Sequence, residues 1–92
     1  MTDLLVVRSP FDHHVIREMA LAGEAEVESA LQKAYILFKD RSRFLPKHVR
    51  IGILEKLASM MESQVEALTL MAAGEGGKPY RDSKVEVLRA IS

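Results

Sequence analysis

The chain has 92 residues, which is enough for one small domain, and its 13 basic side chains balance its 13 acidic ones. This neutral balance gives no electrostatic reason to expect a nucleic acid or an anionic membrane as a partner. Because the sequence contains no cysteine, it excludes disulfides, thiolate metal sites and a thiol nucleophile within the chain.

The N-terminal residues predict a β-hairpin over about residues 4–21. Leu4–Val7 is a short β-prone run, and a second, weaker strand candidate covers Val15–Leu21. Ser9-Pro10 interrupts the pattern, because the residue before a proline favours extended backbone. An isolated two-stranded hairpin is only marginally stable in water, so we expect this one to need a sheet or a helix to pack against.

The same N-terminus lacks the pattern of a targeting segment. The apolar run is short, Asp3 precedes it, and no basic residue stands before it, which is unlike a secretory signal. No apolar run approaches the roughly 20 residues that a membrane-spanning helix needs. A soluble cytoplasmic protein is the expectation.

A first helix is predicted over about residues 24–40. Gly23 is the expected N-cap, and glutamates crowd the first turns, where the helix dipole favours negative charge. Apolar residues recur at helical spacing, which predicts one apolar face. These residues are Val27, Ala30, Leu31, Ala34, Leu37 and Phe38.

Two further helices are predicted, over about residues 47–73 and 80–91. Pro46 suits the first turn of the longer one, and Gly74 is its expected stop. Apolar residues of the longer helix occupy more than one face, which indicates burial on more than one side. The sequence therefore predicts a mostly α chain with three helices after the hairpin. Because the last predicted helix ends abruptly, we expect the chain to be a segment of a larger protein.

The glycine-rich segment Gly74–Pro79 has some features of a phosphate-binding loop. Such a loop needs a glycine five residues before the Gly-Lys pair and a serine or threonine after the lysine. Ala72 stands at the first of these positions and Pro79 at the second. A turn with a specific packing role is the better interpretation.

Asp12-His13-His14, together with His48, are candidate metal ligands. Adjacent histidines on one loop rarely converge on an ion without further ligands nearby, so a solvated turn is the favoured interpretation.

Three further groups of residues have ordinary explanations. Methionines at helical spacing are typical of residues that fill a core. A local basic cluster is typical of a solvated helix junction. The serine and threonine hydroxyls have no neighbouring base or oxyanion donors in the sequence pattern. The groups are Met60, Met61 and Met71; Lys39, Arg41, Arg43, Lys47 and Arg50; and Ser59, Ser63 and Thr69. The sequence thus gives no catalytic, cofactor-binding or metal-binding residue.

Four blocks, in order and at family-like spacings, carry a resemblance that covers the chain from about Val6 onwards. They are the hairpin Ser9–Ile16, the helix Glu24–Ala34, the stretch Arg50–Ala58, and Glu75–Pro79 followed by Glu86–Ala90. Together they resemble the N-terminal part of the aldehyde dehydrogenase superfamily.

This resemblance implies an α/β parent enzyme that oxidises an aldehyde to a carboxylic acid with NAD or NADP. In that family a cysteine thiolate attacks the carbonyl and a glutamate helps water to release the acid. Both groups, and the main cofactor-binding loops, are expected beyond Ser92. Residues 1–92 are then a single N-terminal segment, part of the parent's cofactor-binding domain, inactive and without a cofactor by itself.

The partners implied are the remainder of the parent enzyme and further copies in a homo-oligomer, with no nucleic acid and no membrane. A second hypothesis stays open beside this one. The chain is then a small helical interaction or self-association module without catalysis, because it carries more apolar surface than three helices and a hairpin can bury. The choice of aldehyde and of NAD or NADP is left open by these residues.

Overall fold

The computed structural model describes residues 3–92, so Met1 and Thr2 of the predicted segment 1–92 lie outside the described residues. The prediction of a short hairpin followed by a mostly helical chain is confirmed. The elements are β1 (Leu4–Arg8), β2 (Val15–Ala20), α1 (Glu24–Lys39), a short 3-10 helix (Arg41–Arg43), α2 (Lys47–Glu62), α3 (Val65–Gly76) and α4 (Tyr80–Ile91).

The two strands pair antiparallel, and the register shifts near the loop. Val7 lies opposite Arg17, whereas Arg8 lies opposite Val15, so one extra residue forms a bulge in β2. The loop between the strands is closed by its own backbone. The amide of Ser9 donates to the carbonyl of His14 at 2.9 Å.

Helix α1 begins after Gly23, which has no side chain to cap the free backbone amides. Glu24 and Glu26 lie in the first turn and Lys39 in the last, which matches the direction of the helix dipole. The charge pattern therefore supports this helix locally, although none of its residues is buried.

The structure has two helices where the sequence predicts one over 47–73. The chain leaves helical hydrogen bonding at Ser63-Gln64, and Gln64 has φ −122° and ψ 21°. The Ser63 hydroxyl donates to the carbonyl of Met60 at 2.7 Å, and such back-bonding bends helices. The bend allows α2 and α3 each to contact α4.

The described chain is flat and open. Its principal extents are 49 × 40 × 15 Å, and its radius of gyration is 17.9 Å, against about 12 Å for a compact domain of this length. Its accessible surface is 8072 Å², whereas a compact protein of this mass exposes about 5,400 Å². No apolar residue within 3–92 is buried, so these elements do not enclose a hydrophobic core.

Packing is concentrated at the C-terminal end of the chain. Helices α3 and α4 pack closely, α2 contacts α4 more loosely, and the neighbour of α1 is the short 3-10 helix that follows it. Among residues 3–92, no helix combines the length and the apolar character needed to cross a bilayer.

Candidate functional site

The joint between α3 and α4 is the feature that the sequence singled out. The sequence placed the stop of the preceding helix at Gly74, but α3 continues to Gly76. Gly77 then takes the left-handed conformation, with φ 65° and ψ 24°. This conformation is open to glycine at little cost, and it ends the helix in the common way. Pro79 precedes the first residue of α4 and has a compatible φ of −58°.

Gly77 also contacts the hairpin loop. A Cβ atom placed on Gly77 would lie 2.6 Å from Cγ of Pro10, which is far inside contact distance. Glycine is thus required at this position both by the backbone conformation and by the approach of Pro10. The contact joins the hairpin loop to the joint between α3 and α4.

Two polar contacts bridge the joint. The Nζ of Lys78 lies 3.0 and 3.1 Å from the two carboxylate oxygens of Glu86 on α4. Both side chains are about half exposed, at 51% and 57%, so this ion pair contributes about 0–1 kcal/mol. The Tyr80 hydroxyl donates to the carboxylate of Glu66 on α3, and this hydrogen bond raises the pKa of Tyr80.

The packed face of the joint is made by two small residues. Thr69 on α3 and Ser83 on α4 are fully buried, and each is the one buried residue of its helix. Within the described chain, neither hydroxyl has a hydrogen-bond partner. Small side chains let two helices approach closely, and here the close approach leaves two hydroxyls unsatisfied, each at a cost of about 1–3 kcal/mol.

The hairpin loop holds the residues weighed for a metal site. His14 Nδ1 lies 2.5 Å from Oδ1 of Asp12, and this contact lowers the pKa of Asp12. His13 has a positive φ of 64°, and its carbonyl accepts a hydrogen bond from Arg8. No group of three metal-binding side chains occurs among residues 3–92, so the structure does not bring His48 together with this loop into a metal centre.

Two residues of the basic cluster contact nearby side chains. Arg43 lies 3.2 Å from a carboxylate oxygen of Asp40, and the ammonium of Lys39 lies 5.0 Å from the ring centre of Tyr35. An open groove of about 440 Å³ follows at the start of α2, lined by Phe44, Leu45, Pro46, Lys47 and Arg50. The lining combines three apolar residues with two basic ones, and the groove is open to solvent.

Two of the three hydroxyls considered as nucleophiles have structural explanations. The exposed Ser63 hydroxyl donates to the carbonyl of Met60, and Thr69 is fully buried in the joint. The sequence grouped Thr69 with possible nucleophiles and did not identify Ser83 at all. Thr69 and Ser83 are small residues on the two helices that flank the glycine turn, and this position was the sequence feature that could have indicated their burial.

Gly77 and Gly23, which lie outside the helices, are poorly suited to hold the pyrophosphate of a nicotinamide dinucleotide. A pyrophosphate cradle needs open space beside glycine and a helix N-terminus that attracts anions. The space beside Gly77 is filled by Pro10, and the helix that follows Gly23 carries Glu24 and Glu26 in its first turn. We therefore assign no cofactor contact to these residues.

Comparison with known proteins identifies the chain's relatives. The profile of the Aldehyde dehydrogenase family matches residues 2–92. An aldehyde-dehydrogenase-like protein of Sinorhizobium fredii is 32% identical over 96% of this chain, which is 17% of the relative's length. Lactaldehyde dehydrogenase of Methanocaldococcus jannaschii is 29% identical over 92% of the chain, and malonate-semialdehyde dehydrogenase 2 of Bacillus cereus is 33% identical over 98%.

The alignment covers nearly all of this chain but only a small part of each relative. Nearly all of this chain aligns, yet it spans only 17% to 18% of the length of these relatives. The family has an α/β fold, as the sequence predicts for the parent. Because the family profile covers all but the first residue, the chain belongs to the aldehyde dehydrogenase family.

Proposed function

We propose that this chain is the N-terminal scaffold portion of an enzyme that oxidises an aldehyde to a carboxylic acid with NAD or NADP. The observation that carries the proposal is the family match over residues 2–92. The open shape supports the role as scaffold, because elements without a core of their own are suited to packing on a larger body.

The proposed reaction consumes one aldehyde, one water and one oxidised nicotinamide, and it yields the acid, the reduced nicotinamide and a proton. The chain contains no cysteine, so the thiolate that the family employs has to come from another part of the enzyme. The names of the relatives include a lactaldehyde and a malonate semialdehyde enzyme, so the family match leaves the choice of aldehyde open.

The test is the reading frame downstream of Ser92 and the activity of the polypeptide that it encodes. We expect the frame to contain a cysteine and, further on, a glutamate, and the purified polypeptide to form NADH or NADPH only when an aldehyde is added. Replacing that cysteine by alanine is expected to abolish turnover. A frame without such a cysteine would contradict the proposal.

The chain by itself is the matched control. We expect residues 1–92 to show neither aldehyde oxidation nor measurable NAD binding by calorimetry, because Pro10 fills the space beside Gly77 and the first turn of α1 is acidic. A micromolar dissociation constant for NAD would overturn this assignment of roles. In the cell, we propose the cytoplasm as the location and a homo-oligomer as the assembly of the parent, to be checked by fractionation and by light scattering.

A second candidate function is a self-association module without catalysis. The large exposed apolar side chains favour it, because contiguous apolar patches commonly mark interfaces. Light scattering on the purified chain separates the two candidates. A stable, saturating dimer or small oligomer would favour self-association, whereas a dilute, well-folded monomer would argue against it.

A further inference from the structure

Helix α1 carries an apolar stripe that the rest of the described chain leaves exposed. Val27, Leu31 and Phe38 recur four and then seven residues apart, which is the spacing of one helix face. Their exposed fractions are 49%, 60% and 66%, and Ala34 is an exposed residue of the same face. Because none of the residues of α1 is buried, this stripe is an unpartnered surface along most of the helix.

Charge is separated along the same helix. The first half contains three glutamates and no basic residue, whereas the second half contains two lysines and no acidic residue. These residues are Glu24, Glu26 and Glu28 at one end and Lys33 and Lys39 at the other. Among residues 3–92, the ion pairs are formed by other side chains. The chain is neutral as a whole, but α1 has an acidic end and a basic end.

Glu28 and Lys39 border the apolar stripe on the same side. Each residue advances an α-helix by about 100°, so these two positions differ by only about 20° around the axis. Along the axis they are about 16 Å apart, which is too far for an ion pair within one helix. The ammonium of Lys39 lies 5.0 Å from the ring centre of Tyr35, which keeps it at this border. Pairing of the two border positions therefore needs two copies of the helix.

A second copy of α1 in the antiparallel direction covers the stripe. When two such helices cross between Gln32 and Lys33, Val27 lies opposite Phe38 of the second copy. Leu31 then lies opposite Ala34, and a large residue that faces a small one allows two helices to approach closely. A twofold axis repeats each of these contacts, so the stripe is complementary to itself.

The charges favour the antiparallel direction over the parallel one. In the antiparallel pair, Glu28 comes within about 3 Å, measured along the axis, of the position of Lys39 in the second copy, and the symmetry forms this ion pair twice. A parallel pair places glutamate beside glutamate and lysine beside lysine, which is destabilising. The antiparallel direction also brings the positive end of each helix dipole next to the negative end of the other.

The size of the surface sets the expected strength of the contact. With 16 residues, α1 is about 24 Å long, and a single pair of helices of this length buries less than the roughly 800 Å² per partner of a standard interface. We therefore expect a reversible dimer that is weak, with a dissociation constant on the order of tens of micromolar.

We propose that α1 is a self-association surface whose partner is the α1 helix of a second copy of this chain, packed antiparallel. The apolar stripe makes the centre of the contact, and the Glu28–Lys39 pairs border it. This inference rests on the self-association candidate given above and assigns it a face, a direction and a pair of charges.

The first experiment is sedimentation equilibrium of the purified chain over a range of concentrations up to about ten times the expected dissociation constant. We expect a monomer–dimer equilibrium. Leu31→Asp places a carboxylate at the centre of the stripe in both copies, so it is expected to weaken the dimer at least tenfold. The matched control Ser29→Asp adds the same charge on the opposite side of α1 and is expected to change the constant less than about threefold.

Circular dichroism of the two variants checks that both keep the helical content of the unmodified chain. Equal effects of the two substitutions on the dimer, with helical content preserved, overturn the role of the stripe.

The second experiment exchanges the charges. Glu28→Lys and Lys39→Glu each place like charges together at the border, so each variant alone is expected to dimerise about two- to tenfold more weakly. An equal mixture of the two variants restores both opposite-charge pairs and is expected to form a mixed dimer as strong as the unmodified one. A mixture no stronger than its separate components shows that these charges do not meet, and it overturns the proposal.

A crosslinking experiment determines the direction, and the absence of natural cysteines makes it unambiguous. In the antiparallel pair, position 27 of one copy lies beside position 38 of the other, and far from its own equivalent. A short bis-maleimide is therefore expected to link Val27→Cys chains to Phe38→Cys chains in a mixture, and neither variant to itself. Preferential linking of Val27→Cys chains to one another indicates a parallel pair and overturns the proposal.

The results also separate this inference from the functions proposed above. A chain that stays monomeric at every concentration removes both the inference and the self-association candidate. A dimer that Leu31→Asp leaves unchanged preserves self-association and removes the inference, because another face then makes the contact. Aldehyde oxidation by the polypeptide of the longer reading frame is measured independently of either result.

Discussion

The α3–α4 pair and helix α1 differ in their packing within this chain: the two helices of the pair pack against each other, whereas α1 buries none of its residues. The pair has a fully buried residue on each helix, a hydrogen bond between the helices, an ion pair from the turn to α4, and a glycine turn in contact with Pro10. Helix α1, with 16 residues, is longer than either 12-residue helix of the pair, yet it has no buried residue. Most helical stability in proteins comes from the packing of an apolar face, so we expect α1, which buries none, to depend more on a partner than the pair does.

The largest expected change in stability comes from a larger side chain in the α3–α4 pair, compared with the same substitution on α1. Ser83→Leu forces a large side chain into the fully buried face of α4 and is expected to lower the opening free energy of α3 and α4 by about 1–3 kcal/mol. Hydrogen exchange of the α3 and α4 amides measures this change. The matched variant Ser29→Leu, on exposed α1, is expected to stay within about 0.5 kcal/mol. Equal losses at the two positions would remove the contrast between the regions.

The next effect tests the glycine turn. Gly77→Ala is expected to cost about 1–2 kcal/mol because of its left-handed backbone, and the new methyl also has to displace Pro10. Gly74→Ala is the control, because a Cβ there meets nothing within 4 Å and alanine favours a helix by about 1 kcal/mol. Thermal unfolding followed by circular dichroism is expected to shift in opposite directions for the two variants. Stabilisation by both would show that the turn tolerates a side chain.

A smaller effect, of favourable sign, is expected at Thr69. Thr69→Val replaces a buried hydroxyl without a partner by a methyl group of similar shape, so we expect amide protection in α3 to increase by about 1 kcal/mol. Thr69→Ser is the control, since it keeps the hydroxyl and removes the methyl, and it is expected to be destabilising. Loss of protection in the valine variant would mean that the hydroxyl is hydrogen-bonded in solution.

The smallest effect concerns the titration of Tyr80. Its hydrogen bond to Glu66 raises the pKa of the phenol, so the folded chain favours the protonated form. This contribution is fully present below the unfolded pKa of tyrosine and is lost as the pH rises through the higher folded pKa. In a Tyr35→Phe background, the ultraviolet absorbance of tyrosinate reports Tyr80 alone. Glu66→Ala is expected to bring the pKa back towards its ordinary value, and an unchanged titration would show that the contact does not form in solution.

The sequence predicted the features that depend on nearby residues. The hairpin follows from two β-prone runs around Ser9-Pro10, and α1 and α4 follow from apolar spacing and flanking glycine and proline. The bend at Ser63 was missed because the apolar spacing continues through it. The polar run Glu62-Ser63-Gln64 was the available signal, and its effect depends on a side chain that bonds to the backbone.

The contacts that fix the joint could not be predicted from local pattern. The approach of Pro10 to Gly77 and the burial of Thr69 and Ser83 require knowing which distant segments meet. The resemblance identified the family, but it gave the Gly-Gly-Lys-Pro turn only a general packing role. In the structure, Gly77 of this turn contacts Pro10 on the hairpin loop, and Lys78 pairs with Glu86 on α4.

The contact between Pro10 and Gly77 also has a consequence for the order in which the chain assembles. The hairpin leaves the ribosome early, but the residue against which its loop packs is made only after α1, α2 and α3. Closing a loop this long costs more entropy than any neighbouring contact in the chain. The hairpin is therefore expected to dock late in synthesis, when the turn after α3 has formed.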